Sequence, residues 1–225
     1  MTGPVERFAR QIASHGYIVA APSSYHEFLP PDALAYDVPG TDTGNALKIR
    51  KTLSSYDEDA TLSIDALIKL PQCNGRIGTT GMCLGGHLAF RCAFDSRIRA
   101  AVCYFATDLQ KGSLAKEGDD SLKRAGDIKG EAVMIFGKSK SCGDVVRFTR
   151  IDASIVRESF ADDAFVEDTH VPPEARDLIR KTLHEKGVMF SWYEVAWAQR
   201  MYSTISCIDL WLLMTSRCIH QRRVE

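Results

Sequence analysis

The sequence lacks an excess of either charge and lacks an apolar run long enough to cross a membrane. Its 225 residues carry 28 Lys and Arg against 29 Asp and Glu, a formal net charge of −1, so no basic face favours nucleic acid or anionic lipid. The late apolar run at 205–214, ISCIDLWLLM, is too short to span a bilayer and contains Asp209. The first ten residues, MTGPVERFAR, lack the apolar core of a signal peptide. We therefore expect a cytoplasmic protein.

Metal-binding and disulfide-forming cysteine patterns are also missing. The seven cysteines follow no regular spacing, include no CxxC pair and form no Cys/His cluster of zinc-finger type. No other metal and no organic cofactor is implied. An odd number of scattered cysteines is typical of a reduced intracellular protein, so we expect thiols rather than disulfides.

What the sequence does contain is an alternation of strand and helix patterns. Short apolar runs alternate with segments of helical periodicity, which indicates βαβ units and a mostly parallel sheet with helices on both faces. A hydrophobic content of 45% is ordinary for a globular protein, and 225 residues without a visible linker favour one domain. The segment 23–45 is rich in Pro, Gly and Asp and is predicted to be a loop. The predicted strands are 17–22, 74–82, 98–106, 131–138 and 188–196, and the predicted helices are 4–16, 56–70, 84–94, 120–128 and 172–187.

One short stretch, GMCLGGH at 81–87, carries a specific chemical signal. It joins a predicted strand to a predicted helix and matches the nucleophile elbow G-x-Nuc-x-G, with Cys83 at the nucleophile position. A thiol at a helix N-terminus is favoured as thiolate, which is the attacking form. The backbone N–H of Leu84 would then face the developing oxyanion. A buried packing cysteine is the alternative interpretation, but it needs no flanking glycines.

With these residues, the chain resembles the dienelactone hydrolase family, a cysteine-dependent branch of the α/β-hydrolases. The resemblance covers most of 3–138 and 168–199, and its implied domain is 1–199. It implies an α/β-hydrolase fold and hydrolysis of a small-molecule ester or lactone by a Cys–His–Asp triad. Cys83 matches the nucleophile and Asp168 matches the acid, with Asp144 as the weaker alternative. The segments that carry it are GTTGMCLGGHLAFR (78–91), AAVCYFATD (100–108), VMIFGK (133–138), DTHVPPEARDLI (168–179) and SWYEVAWAQ (191–199).

The sequence departs from the family pattern where the catalytic His is expected. Arg200 follows AWAQ at that position, and arginine keeps its proton and cannot act as a base. The candidates to replace it are His87, one helical turn past Cys83, His170 in the DTHVPP segment, and His220 near the C-terminus. None has a convincing context, so we expect impaired turnover.

Three further departures accompany the missing His. The first strand or strands of the fold, and the loop that supplies a second oxyanion donor, have no counterpart before MTGPVERF, which predicts an exposed sheet edge. An atypical insert occupies 139–167 and an atypical tail occupies 200–225. Both resemble translated non-coding sequence, a hypothesis that a transcript lacking the codons for 139–167 would support and peptides mapped across residue 150 would overturn.

Three functions are compatible with the sequence. The first is an esterase of dienelactone hydrolase type, and the second is a catalytically inactive α/β-hydrolase fold that binds a partner. The third is a thiol redox protein in which Cys83 pairs with Cys103, although no CxxC spacing supports it. The loop 23–55 is expected to line the pocket, where Lys48, Arg50 and Lys51 could meet an anionic substrate. More commonly, such residues are simply exposed charges on the surface.

Overall fold

The structure is a computed structural model, and it describes residues 3–30, 32–35, 37–137, 171–195 and 210–217. Strands and helices alternate through most of this range, as the sequence predicts. In chain order the elements are α1 (Gly3–Ser14), β1 (Tyr17–Ala20), α2 (Val38–Arg50), α3 (Leu53–Ile68), β2 (Cys73–Met82), α4 (Leu84–Cys92), β3 (Ile98–Tyr104), a 3₁₀ turn (Ala125–Asp127), β4 (Glu131–Gly137), α5 (Pro173–Glu185), β5 (Phe190–Val195) and β6 (Leu210–Arg217).

One six-stranded sheet organises these elements. The strand order is β1-β6-β2-β3-β4-β5. The ladders β2–β3, β3–β4 and β4–β5 are parallel. β6 is antiparallel to both β1 and β2, so β1 and β2 run in the same direction. Five strands therefore share one direction, and the predicted mostly parallel sheet is confirmed.

Helices cover both faces of the sheet. Along β6, Leu213 packs in the main core, whereas Leu212 packs in a second, smaller cluster with Val5 of α1. Because neighbouring side chains of a strand point to opposite faces, α1 lies on one face. The other face carries α3, α4 and α5, whose buried residues belong to the main core. The predicted covering of both faces is confirmed.

Two local predictions were wrong. Residues 38–45 are not loop but the beginning of α2, which Asp37 caps by accepting a hydrogen bond from the Gly40 N–H at 2.8 Å, with Pro39 in the first turn. Proline and glycine there belong to the helix N-terminus rather than to a turn.

The predicted helix at 120–128 is only a 3₁₀ turn, Ala125–Asp127, preceded by hydrogen-bonded turns. The carboxylates and hydroxyl at 119–121 are instead engaged with α4, as described below.

The tail contains a strand that its lack of periodicity did not indicate. Residues 210–217 form β6, which lies between β1 and β2, and Leu212 and Leu213 are both fully buried. A strand with apolar neighbours on both faces reads as a continuous apolar run rather than an alternation. The edges of the described sheet are β1 and β5. The insert 139–167 lies outside the described residues, as does the rest of the tail.

Among the residues described, no helix combines the length and apolar character that a membrane span requires.

Candidate active site

The connection from β2 to α4 is the sharp turn that the GMCLGGH stretch predicts. β2 ends at Met82, α4 begins at Leu84, and Cys83 alone joins them. Its backbone has φ 59° and ψ −120°, a conformation that residues other than glycine rarely adopt. Strain of this kind persists where the surrounding structure enforces it, and it concentrates at functional sites. The turn therefore presents the Cys83 side chain at the carboxyl end of the sheet.

Gly86 allows α4 to approach the strands this closely. A Cβ placed on Gly86 would lie 2.7 Å from the backbone oxygen of Tyr104 and 3.2 Å from the backbone oxygen of Gly81. Both neighbours are main-chain atoms in the sheet and cannot move aside as a flexible side chain could. A glycine is therefore required at this position by packing.

Backbone hydrogen bonds to the segment after β3 hold the turn in place. The Cys83 N–H donates to the Tyr104 carbonyl at 2.9 Å, and the Thr107 N–H donates to the Cys83 carbonyl at 3.3 Å. The Thr107 hydroxyl lies 3.9 Å from Cys83 Sγ, within hydrogen-bonding distance for sulfur. Both polar groups of the Cys83 backbone are thus bound, which fixes the orientation of its side chain.

Leu84, predicted to supply an oxyanion donor, is the first residue of α4 and is fully buried. The N–H groups of a helix's first turn have no acceptor within the helix. They also carry the positive end of the helix dipole, which favours a negative charge beside Cys83. The position of Leu84 is therefore compatible with the predicted role.

His87 is engaged in a buried network. Its Nδ1 lies 2.7 Å from the Thr107 carbonyl oxygen, and its Nε2 lies 3.1 Å from Ser121 Oγ and 3.0 Å from Asp119 Oδ2. The imidazole is fully buried. Because both ring nitrogens are held by these groups, His87 has the contacts of a structural residue rather than of a general base.

Asp119 and Arg91 extend this network away from Cys83. Burial alone would raise the pKa of Asp119, but the hydrogen bond and charge of His87, helped by Ser121, hold that pKa below its ordinary value. Arg91 binds Asp57 through two nitrogens, at 2.7 and 2.9 Å, and reaches Asp120 at 2.6 Å. These contacts tie α4 both to α3 and to the segment before the 3₁₀ turn.

The remaining triad predictions fall on residues that are not described. Asp168, His170, Arg200, His220 and the alternative acid Asp144 all lie outside the described residues, so their roles stay predictions. Of the other histidines, His26 pairs with Asp59 at 2.9 Å, and His15 and His184 are exposed near the ends of α1 and α5.

The cationic residues that could meet an anionic substrate have intramolecular partners. Lys48 is paired with Asp108 at 2.8 Å, with both side chains almost buried. The same lysine, outweighing the effect of burial, holds the pKa of Asp108 below its ordinary value. Arg50 stacks over the Phe28 ring at 4.6 Å. Lys48 is therefore neither exposed nor free to meet a substrate, whereas Arg50 is exposed, as the surface-charge interpretation expects.

Lys51 is the cation of a small acidic cluster. Its side chain is fully buried, and its Nζ lies 2.6 Å from Asp59, 3.1 Å from Glu27 and 2.9 Å from the Ser24 carbonyl oxygen. His26, Glu27 and Asp59 have the mutual spacing of metal ligands. An ammonium among them neutralises the carboxylates that a metal ion would need, so this cluster is an internal ion pair.

Two cavities border the loops around the sheet. One of about 520 Å³ is lined by residues of the predicted pocket loop 23–55 and by Lys116, and another of about 700 Å³ follows the segment 109–123 and the end of α5. Cys83 lines neither of them. Residues of 23–55 border a cavity, but this cavity does not include Cys83, so the prediction that they line the substrate pocket stays a prediction.

The buried thiols argue against the redox interpretation. The four described cysteines, Cys73, Cys83, Cys92 and Cys103, form no disulfide. Burial raises the pKa of Cys92 to about 12, and it raises the pKa of the fully buried Cys103 further. A thiol that stays protonated and inaccessible is a poor exchange partner. Cys103 is therefore unsuited to the role that a redox cycle with Cys83 requires.

Sequence reasoning did not identify Thr107 or Asp119 as neighbours of the site. Thr107 belongs to the quoted segment after β3, and its closeness to Cys83 follows from the parallel pairing Gly81↔Cys103 and Met82↔Tyr104. The carboxyl ends of adjacent parallel strands meet at one edge, which is the signal that could have found Thr107. No comparable signal marks Asp119, which reaches His87 from an irregular segment.

A mostly parallel sheet with helices on both faces and a strained cysteine between strand and helix defines the α/β-hydrolase class. Within that class the chain belongs to the dienelactone hydrolase family, whose profile matches residues 3–197. The predicted family and fold are therefore confirmed.

Curated relatives agree with this assignment. A Saccharomyces cerevisiae protein named "Putative carboxymethylenebutenolidase" is 46% identical over 207 residues, covering 90% of this chain and 66% of its own length. A Pseudomonas putida carboxymethylenebutenolidase is 30% identical over 117 residues, covering 48% of this chain and 46% of its own. This chain thus spans less than two thirds of the length of either relative.

One solved structure, "Crystal Structure of Putative Dienelactone Hydrolase from Klebsiella pneumoniae subsp. pneumoniae MGH 78578", overlaps with part of the fold. Its TM-score is 0.39 at 15% identity, covering 58% of this chain and 44% of that one.

Proposed function

We propose that the protein is a carboxylic ester hydrolase of dienelactone hydrolase type, with Cys83 as its nucleophile and with impaired turnover. The observation that carries the proposal is the strained backbone of Cys83, with a positive φ of 59°, on a one-residue connection between β2 and α4. Membership of the family supports an ester or lactone as the substrate class. The relatives' names refer to a butenolide, an unsaturated lactone.

The proposed chemistry begins with the Cys83 thiolate. Its sulfur attacks the carbonyl carbon, the carbonyl oxygen takes up the negative charge, and the Leu84 N–H stabilises that charge. When the C–O bond of the ester breaks, the departing alkoxide takes a proton from solvent water to become the alcohol, and an acyl-thioester remains on Cys83. Water then adds to the thioester and releases the acid, which regenerates the thiol.

The second half of this cycle depends most on a base. Water must be deprotonated as it attacks the thioester, and general-base catalysis typically contributes about 10²–10⁴-fold to such a step. Arg200 stands where the family pattern expects the His, and the buried His87 already holds Thr107 and Asp119. We therefore expect acylation of Cys83 to be faster than hydrolysis of the thioester.

A catalytically inactive fold that binds a partner is the second candidate, and Arg200 is the observation that favours it. The two functions differ in one property: only the hydrolase forms a covalent intermediate on Cys83.

The test compares release of a chromogenic alcohol from a short-chain ester by the wild-type chain and by Cys83→Ala. Cys73→Ala is the matched control, because Cys73 is also a half-buried thiol. The proposal predicts slow turnover that Cys83→Ala abolishes and Cys73→Ala retains. Equal rates in all three proteins, or no release by a wild-type chain with a native circular dichroism spectrum, would overturn it.

A further inference from the structure

The segment after β3 contacts Cys83 at two points through one residue. Thr107, which is 3% exposed, donates its N–H to the Cys83 carbonyl at 3.3 Å. Its hydroxyl also lies 3.9 Å from Cys83 Sγ. The first contact fixes the main chain of the turn and the second reaches the sulfur that the proposed reaction uses.

Thr107 is itself held from the other side by α4. The His87 ring, through Nδ1, binds the Thr107 carbonyl oxygen at 2.7 Å. Asp119 and Ser121 in turn hold His87 at its second nitrogen. Since its N–H and its carbonyl are both engaged with residues 83–87, Thr107 has little freedom to move relative to the sulfur. Its hydroxyl is a pre-positioned group.

We propose that Thr107 is a further residue of the nucleophile site, where its hydroxyl orients Cys83 Sγ and donates a hydrogen bond to the thiolate, while His87 acts as the positioning residue for Thr107. This inference rests on the proposed function. A hydroxyl can donate to or accept from a thiol, but towards a thiolate it must donate. A hydrogen bond donated to the charged form stabilises that form.

Other ionisable groups surround this connection and must stay constant in a test. Among the described residues they include His87 of α4, Asp108 with its partner Lys48 of α2, and Asp119 of the segment before the 3₁₀ turn. Substitution of Thr107 by Val, Ala or Ser changes none of these charges. A difference between hydroxyl-containing and hydroxyl-free variants therefore reports the hydroxyl itself.

The experiment measures alkylation of Cys83 by iodoacetamide as a function of pH, followed by mass spectrometry. Trypsin cleaves after Arg76 and after Arg91 and so releases the peptide 77–91, IGTTGMCLGGHLAFR. Cys83 is the one cysteine in this peptide. In Thr107→Val we expect the midpoint of the rate profile to rise by about half a pH unit, which is about a threefold slower reaction below the midpoint. The high-pH plateau should be unchanged, and Thr107→Ser should restore the wild-type midpoint.

Thr80→Val is the matched control. Thr80 is equally buried, lies in the strand that leads to Cys83, and directs its hydroxyl to the Val102 carbonyl at 3.0 Å. The inference predicts a wild-type profile for this variant. Thr107→Ala supplies a second hydroxyl-free variant if valine disturbs the packing.

Each outcome separates this inference from the proposed function. A raised midpoint in the hydroxyl-free variants supports the role of Thr107 whether or not the wild-type chain turns over ester. An unchanged midpoint together with Cys83-dependent turnover would overturn the role of Thr107 and leave the hydrolase proposal standing. An equal shift in Thr80→Val, or no rescue by serine, would attribute the effect to packing and would also overturn it.

Discussion

At the scale of single residues, close packing and buried charges hold the turn that carries Cys83. Contacts between residues close in the sequence could be predicted, whereas contacts between distant residues could not. The nucleophile position and the helix that follows are local, so GMCLGGH indicated them directly. The His87–Asp119 contact joins residues 32 positions apart in the sequence, and Asp119 lies in an irregular segment, so no local pattern could predict the contact. Lys48 was considered for an anionic substrate for the same reason: its partner Asp108 is distant in sequence, and no local pattern reveals the pair.

Gly86 gives a prediction about packing. We expect Gly86→Ala to lower the free energy of unfolding by about 1–3 kcal/mol, because its Cβ would lie 2.7 Å from the Tyr104 oxygen. Urea denaturation measures the change. Gly44→Ala in α2 is the control, since its nearest neighbour is the end of the Leu34 side chain at 3.4 Å. Alanine there should be neutral or stabilising by up to about 1 kcal/mol. Equal midpoints for the two variants would contradict this account of Gly86.

Asp119 gives a prediction about acid stability. Its pKa is held below the ordinary value in the folded protein, where the His87 contact outweighs burial. A carboxyl with a depressed folded pKa stabilises the protein above its unfolded pKa of about 3.9, and that contribution is lost as the pH falls through the folded pKa. Asp119→Asn should therefore be less stable than wild type at pH 7 by about 1–3 kcal/mol, the cost of disturbing a buried polar contact.

The same argument predicts how that difference changes with acidity. The gap between wild type and Asp119→Asn should narrow below about pH 4, as the wild-type carboxyl takes up a proton. Urea unfolding across this pH range measures the gap. A gap that stays constant or widens on acidification would show that the Asp119 charge does not stabilise the fold.

At the scale of elements, strands and helices with a clear period were predicted within a few residues. Elements shaped by tertiary context were not. The first turn of α2 contains Pro39 and Gly40, which indicate a loop unless the Asp37 cap is recognised. β6 has no alternation, because Leu212 and Leu213 are buried on opposite faces of the sheet.

β6 is the strand that joins β1 to the rest of the described sheet, and this gives a prediction. Leu213 is fully buried in the main core. Leu213→Ala should lower the free energy of unfolding by about 2–5 kcal/mol, as expected for a buried leucine. Leu62→Ala in α3, where the side chain is 58% exposed, should change it by less than about 0.5 kcal/mol. A wild-type urea midpoint for Leu213→Ala would contradict the placement of β6 between β1 and β2.

At the scale of the whole molecule, the fold brings Cys83, Thr107 and His87 together from the ends of β2 and β3 and the beginning of α4. The family could be predicted because its signal lies in short local segments, above all the turn at 81–87, which can be recognised without tertiary structure. The predicted acid Asp168, and Arg200 at the position where the family pattern expects the His, are far from that turn in the sequence, so no local pattern specifies how they are arranged relative to Cys83.

The central claim is that Cys83 forms a covalent acyl intermediate that is slow to hydrolyse. The most direct measurement is mass spectrometry of the peptide 77–91 after brief incubation of the wild-type chain with a chromogenic short-chain ester. The account predicts an acyl-thioester on Cys83 that accumulates with the first equivalent of released alcohol. Absence of the adduct from Cys83 in a folded protein, or equal labelling of the other cysteines, would contradict it.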